Sequence, residues 1–192
     1  MTPRLHGLVL LAAGASRRLG RPKQLLTLSG ETLVHRAARL ALATQPLDAV
    51  VVLGHAAEEV GAAVGDLVLR RVICAEADQG MGVSLAQGLA ALHADCAGAL
   101  VVLCDQPALE AGHLLGLVAL WRDRPEEAVA SAYADVIGVP AVLPRAWFGL
   151  GEIRGDEGAR GLLRRGEGVA TLRCEGLSRD VDTAEDLSGA TQ

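Results

Sequence analysis

Asp105 closes the stretch ALVVLCDQP (99–107), in which five apolar residues and a cysteine run straight into a carboxylate. A carboxylate at the end of a buried strand is costly unless it is paired or holds a cation. Pro107 lacks an amide for ladder pairing and so ends the strand. Lys23 closes a second stretch, GASRRLGRPK (14–23), which comes just after the apolar run LVLLA (8–12). Gly14 and Gly20 give that loop backbone freedom and a close approach to a ligand. Successive amides in such a turn form a concavity for anions, and Arg17, Arg18 and Lys23 can neutralise phosphates there. Alone, a glycine pair reads as an ordinary basic surface turn, and a lone Asp as a helix N-cap. With a strand before the loop and a lysine after it, the reading is a nucleoside triphosphate site. Asp105 then reads as a magnesium ligand, and Lys23, Arg18 and Asp105 as the catalytic set. Magnesium between phosphates needs hard oxygens, few of them from protein. The loop is neither a Walker A sequence nor GxGxxG, so a dinucleotide site is unsupported.

DQGMGVSLAQGL (78–89) is a second loop, with Gly80 and Gly82 ahead of Ser84. Ser84 is open to two readings, a helix N-cap or a nucleotide contact. In SRDVDTAEDL (178–187), Thr183 with Asp186 three residues later marks a helix start. Asp182 falls at the end of the short extended segment before it, as a second magnesium ligand or as part of a solvated acidic cluster. His6, His35, His55, His93 and His113 make no HxxxH or HExxH pattern, and there is no GxSxG elbow. Zinc hydrolysis and acyl transfer are therefore unsupported.

These loops need a scaffold, and the chain supplies an alternating one. Apolar runs at 8–12, 49–53, 70–75, 99–104, 128–134 and 168–174 read as strands. Stretches at 31–43, 56–64, 83–93 and 109–122 have helical spacing. Strands that are apolar throughout and alternate with helices predict a mostly parallel sheet covered on both faces, a Rossmann-like three-layer α/β/α domain. Ligands of such sheets bind at the carboxyl ends of the strands. At 192 residues, one domain over 1–192 is expected. A net charge of −5 argues against a nucleic-acid binder. With aromatics at only 2 %, base-stacking platforms are unlooked for. No apolar run approaches the ~20 residues that span a bilayer. Only Arg4 could serve as the basic region of a secretory signal, and the four cysteines show no CxxC or close spacing. Both points favour a reducing cytoplasm.

LAAGASRRLGRPK (11–23) resembles the signature LAAGxSxRxGxxK of nucleotidyltransferases that share the molybdenum cofactor transferase fold. In that family the loop wraps the triphosphate and the lysine contacts the phosphates. The resemblance thus assigns nucleotide binding to Leu11, Ala12, Ala13, Gly14, Ser16, Arg18, Gly20 and Lys23. The segment with Gly80, Gly82 and Ser84 resembles the one that reads the base. LAAG, CDQP, and the pair GVPAVLPRAWF (138–148) and GDEGARGLL (155–163) resemble the molybdenum cofactor cytidylyltransferase branch. This implies transfer of CMP from CTP to molybdopterin with magnesium. Gly138 and Pro140 would shape the acceptor pocket, and Asp156 and Arg160 would hold the pterin or its phosphate. A molybdoenzyme or its chaperone would be the further partner. Guanylyltransferase relatives usually read LAGG. The isoprenoid-precursor cytidylyltransferase usually has a DAARP-like segment where this chain has CDQP. A cofactor-delivery factor without chemistry is the non-enzymatic alternative.

Overall fold

The computed structural model describes residues 4–16, 19–149, 158–166 and 168–178. Strand β1 (His6–Ala12) is buried along its whole length. A short hairpin, β2 (Thr27–Leu28) and β3 (Glu31–Thr32), leads into helix α1 (Leu33–Leu42). Then come β4 (Asp48–Leu53), α2 (Ala57–Ala62), β5 (Arg70–Ile73), α3 (Met81–Ala91), β6 (Gly98–Leu103) and α4 (Ala111–Asp123). The described chain continues with β7 (Ala128–Tyr133), β8 (Val136–Pro144), α5 (Gly158–Arg165) and β9 (Val169–Arg173).

Seven strands form one sheet in the order β5-β4-β1-β6-β8-β7-β9. β8 runs antiparallel to both its neighbours, and the other pairings are parallel. Alternation of side chains along β1 divides the core. Leu8, Leu10 and Ala12 pack with Val34 and Ala38 of α1, Val60 of α2 and Leu114 and Trp121 of α4. Val9 and Leu11 pack on the other face with Leu85 and Leu89 of α3 and Leu162 and Leu163 of α5. The three-layer α/β/α architecture follows directly from that period of two.

Three expectations from the sequence change. Residues 31–32 pair in the hairpin, and α1 starts only at Leu33, where the Thr32 hydroxyl accepts from the His35 amide at 3.3 Å. α3 begins at Met81, ahead of the expected position 83, because Gly80 takes the N-terminal flanking position with φ 115°. That conformation is closed to most side chains. Ser84 therefore lies inside the helix, and its N-cap reading is wrong. β8 had no counterpart among the expected strands. Gly138, Pro140 and Pro144 break the apolar pattern, and prolines argue against a central strand. The strand accommodates Pro140 where its register with β7 shifts, between Ala130–Ala141 and Ser131–Gly138.

His6 opens β1 fully buried. The Thr44 hydroxyl donates to the Ala41 carbonyl at 2.7 Å and lies 2.9 Å from His6 Nε2. The hydroxyl's single proton is thereby used, so His6 carries its own proton on Nε2 and donates it. Burial, helped by the charge of Arg122, pushes the His6 pKa from 6.5 down to about 4. Between those values the unfolded chain binds a proton that the folded chain refuses. Stability should therefore fall as pH is lowered through that window, by up to about 3 kcal/mol. Burial lowers the His113 pKa in the same direction, so the check is a difference. Urea unfolding at pH 7 and pH 4.5 should show a smaller loss in His6→Gln than in the wild-type protein.

Candidate active site

β1 and β6 lie side by side, with Leu11 opposite Leu103. The chain leaves β1 toward β4 on one side while β6 flanks the other, so their carboxyl ends frame a topological switch point. A cleft of about 420 Å³ opens there. Leu11, Ala12, Ala13, Gly14 and Lys23 line it from the first loop, Gly80 and Ser84 from the second, and Asp105 from the end of β6. The residues Ala77, Asp78 and Met81 also reach it.

Lys23 and Asp105, 82 residues apart in sequence, meet across this cleft. Lys23 Nζ donates to Asp105 Oδ2, and both side chains are largely buried, 21 % and 14 % exposed. Asp105 Oδ1 is buried with no hydrogen-bond partner among the described residues. A buried carboxylate oxygen lacking a donor is poorly solvated, and as a hard anionic oxygen it suits a small dication. Among the described residues no group of three or more His, Cys, Asp or Glu could hold a metal ion. Magnesium needs less than that when phosphates and water complete its shell, so the residues present fit it. Asp105 is not the cap of the next helix, because α4 begins after Glu110. Burial, reinforced by the charge of Asp105, pushes the neighbouring Cys104 thiol up to about 12, leaving it protonated and inert.

The first loop is held from beneath. Gln24 is buried, and its Nε2 donates to the carbonyls of Ala12 at 3.0 Å and Gly14 at 2.7 Å. Ser16 Oγ accepts from the Lys23 amide at 2.9 Å. Among the described residues of the loop, Ser16 (φ 50°) and Gly20 (φ 66°) are left-handed. Gly14 is not one of them. A Cβ there would come no closer than 4.0 Å to any protein atom, so a side chain would occupy the cleft. Gln24 escaped the sequence reading; a polar residue next to a charged one carries no periodic signal.

Ser84 is buried, and its hydroxyl lies 3.7 Å from Cys74 Sγ. Gly82 is buried in the first turn of α3, behind the lining. Gly138 and Pro140 lie on β8, which starts at the same sheet edge where β6 ends. Arg160 is exposed on α5. Gly158, at the start of that helix, lies against Met81 of the cleft, whose Cγ stands 3.1 Å from the position of a Cβ there. Arg17, Arg18, Asp156 and Asp182 lie outside the described residues.

A switch-point cleft lined by a glycine-bearing loop, a lysine and a strand-end carboxylate sits in this α/β fold, and the match to an NTP transferase family model places the chain in the nucleotidyltransferase superfamily. The chain belongs to the family of the MobA-like NTP transferase domain, whose model matches residues 8–170. It is 34 % identical to the purine catabolism protein PucB of Bacillus subtilis, over 96 % of this chain and 95 % of that protein. It is 38 % identical to nicotine blue oxidoreductase of Paenarthrobacter nicotinovorans, over 93 % of each. The crystal structure of Rv0371c from Mycobacterium tuberculosis H37Rv superposes with a TM-score of 0.85 at 31 % identity, covering 99 % of this chain and 98 % of that one. A structure of Rv0371c in complex with manganese also matches, with a TM-score of 0.79 at 29 % identity and 97 % coverage of each chain. Among the described residues no helix is long and apolar enough to cross a membrane.

Proposed function

We propose that this protein transfers CMP from CTP to the terminal phosphate of a molybdopterin-type cofactor and releases pyrophosphate. The observation that carries the reading is the pairing of Lys23 with Asp105 across the cleft, with Asp105 Oδ1 buried and unpartnered. An oxygen of the acceptor phosphate attacks the α-phosphorus of CTP, and the bond from that phosphorus to the pyrophosphate oxygen breaks. Positioning and charge stabilisation dominate such a step. The loop from Leu11 to Lys23, with Arg18, holds the leaving pyrophosphate, and the Lys23 ammonium offsets its developing charge. Magnesium, when bound, neutralises phosphate charge, and Asp105 assisted by Asp182 would hold it. Gly80, Gly82 and Ser84 take the base, and Gly138, Pro140, Asp156 and Arg160 the acceptor. The domain would span 1–192 and work in the cytoplasm, handing its product to a molybdoenzyme or its chaperone.

The choice of CTP rests on the LAAG resemblance and on space. Ala13 lines the cleft, and its methyl narrows room for a purine, so CTP should be favoured over GTP by about tenfold or more. The test is pyrophosphate release with each of the four nucleotides, with and without molybdopterin. Equal efficiency with GTP would point to guanylyl transfer, and molybdopterin binding without pyrophosphate release would point to a delivery factor. A full-length relative is named an oxidoreductase, which makes reduction the second reading. Nicotinamide oxidation by this protein in place of pyrophosphate release would establish it.

A further inference from the structure

β1 and β4 end level with each other, Ala12 pairing with Leu53, so Ala13 and Gly54 leave the sheet side by side. The chain from β5 arrives at the same place. The Cys74 amide donates to the Leu53 carbonyl at 2.7 Å, and the Ala77 amide to the Cys74 carbonyl at 3.3 Å. Ala13 and Ala77 both line the cleft, one from each nucleotide loop. Gly54 lies against both. A Cβ at Gly54 would stand 2.7 Å from the Ala13 carbonyl oxygen, 2.7 Å from the Ala77 Cβ and 3.1 Å from the Ala13 Cβ. Carbon atoms in contact sit about 3.5–4.0 Å apart, so no side chain fits while both loops stay where they are. Conformation does not call for a glycine here, since Gly54 is not among the left-handed residues. Close approach alone requires it.

The two walls are not equally free to move. Gln24 Nε2 donates to the Ala12 and Gly14 carbonyls, so the backbone is pinned on both sides of Ala13. Ala77 opens a single turn, Ala77–Gln79, between β5 and α3. Its carbonyl accepts from the Gly80 amide at 3.2 Å, so a shift of Ala77 passes to Gly80 and the start of α3. Neither wall can yield by a side chain swinging aside, because the atoms met are a backbone oxygen and two Cβ atoms. Bulk added at Gly54 would therefore push the second loop away from the first.

We infer that Gly54 is a positioning residue whose bare backbone sets the spacing of the two nucleotide loops, and through it the size of base that the cleft accepts. This rests on the transfer reading given above, in which Ala13 and the segment from Gly80 to Ser84 take the base. The Ala13 methyl restricts a purine only while the opposite wall stays close. Gly54 is itself outside the lining of the cleft and acts through Ala77 and Gly80.

The test is isothermal titration with CTP, GTP and inorganic pyrophosphate, each in the presence of manganese and without an acceptor. The proteins are the wild type, Gly54→Ala, Ala77→Gly and the pair. CTP affinity should fall about tenfold in Gly54→Ala, the scale of overpacking by one methyl group. GTP affinity should stay level or rise, so the preference for CTP shrinks by about tenfold. Pyrophosphate reports the anion end of the cleft at Gly14 and Lys23, and its affinity should stay within about twofold of wild type. Adding Ala77→Gly to Gly54→Ala opens the space that the new methyl needs. CTP affinity in the pair should return to within about threefold of that in Ala77→Gly alone, the non-additivity expected of neighbours in contact. Weakening of pyrophosphate as strong as that of CTP would show a general collapse of the first loop and overturn the inference. An unchanged preference for CTP, or a pair no better than Gly54→Ala, would overturn it too. All three outcomes leave the transfer reading intact. Wild-type protein that binds CTP and GTP equally, or neither, would overturn the CTP reading and this inference with it. If circular dichroism shows Gly54→Ala alone unfolded, the pair decides: it should fold and bind CTP as stated, and an unfolded pair overturns the inference.

Discussion

Asp105→Asn should reduce nucleotidyl transfer by at least about a hundredfold, the scale on which a single electrostatic contributor acts in a water-poor site. The substitution keeps the shape of the side chain and one carbonyl oxygen. It removes the charge that would hold a hard dication and that now pairs with Lys23. The side chain is 14 % exposed, so water replaces little of what is lost. Excess magnesium should restore only part of the activity, because a neutral amide oxygen is a weak ligand for it. Leaving Lys23 partly buried without this carboxylate also costs stability, so the melting temperature should drop while circular dichroism still reports a folded chain. The check is a magnesium titration of turnover beside a manganese binding titration that needs no turnover. Asp182→Asn should weaken apparent magnesium affinity more gently, since a water can take its coordination position. Normal turnover of Asp105→Asn at the wild-type magnesium concentration would remove this carboxylate from the chemistry.

The residues that could be read as chemistry were those that broke a pattern. Asp105 interrupts an apolar run, and Lys23 follows a glycine-bearing loop. Strand ends in a parallel sheet converge, so both were legible before any coordinates, as was the layered architecture from the period of β1. What stayed hidden depended on partners distant in sequence. Gln24 donates to the carbonyls of Ala12 and Gly14, and Gln106 to that of Val139. No local period or spacing encodes either contact. β8 was hidden for a related reason. Around Pro140 the carbonyls of Val139 and Pro140 are held by side chains from β7 and from Gln106, beyond the end of β6. Of the two reasons read for Gly14, backbone freedom and a close approach to a ligand, the structure agrees only with the second. This glycine leaves room in the cleft and does not supply a left-handed turn.

Lys23→Met should move two measurements in opposite directions. Turnover should fall by about a hundredfold or more, the effect of losing one preorganised donor to developing charge. Binding of manganese in the absence of nucleotide should tighten, by about threefold or more, because a positive charge next to the metal's carboxylate is gone. The geometry behind this is a fixed base and a movable tip. The Lys23 amide is anchored to Ser16 Oγ, and Gln24 pins the loop on both sides of Ala13. The ammonium sits at the end of a flexible four-carbon stem. It donates to Asp105 Oδ2, where it neutralises charge that a dication would need. A triphosphate offers the ammonium an alternative partner and so frees the carboxylate. Metal and nucleotide should therefore bind the wild-type protein with positive coupling, and Lys23→Met should lose most of it. Isothermal titration of manganese with and without CTP, on both proteins, reads all of these quantities. Unchanged manganese affinity in Lys23→Met would show that the ammonium does not compete for Asp105. Unchanged turnover in a folded variant would place Lys23 outside the reaction altogether.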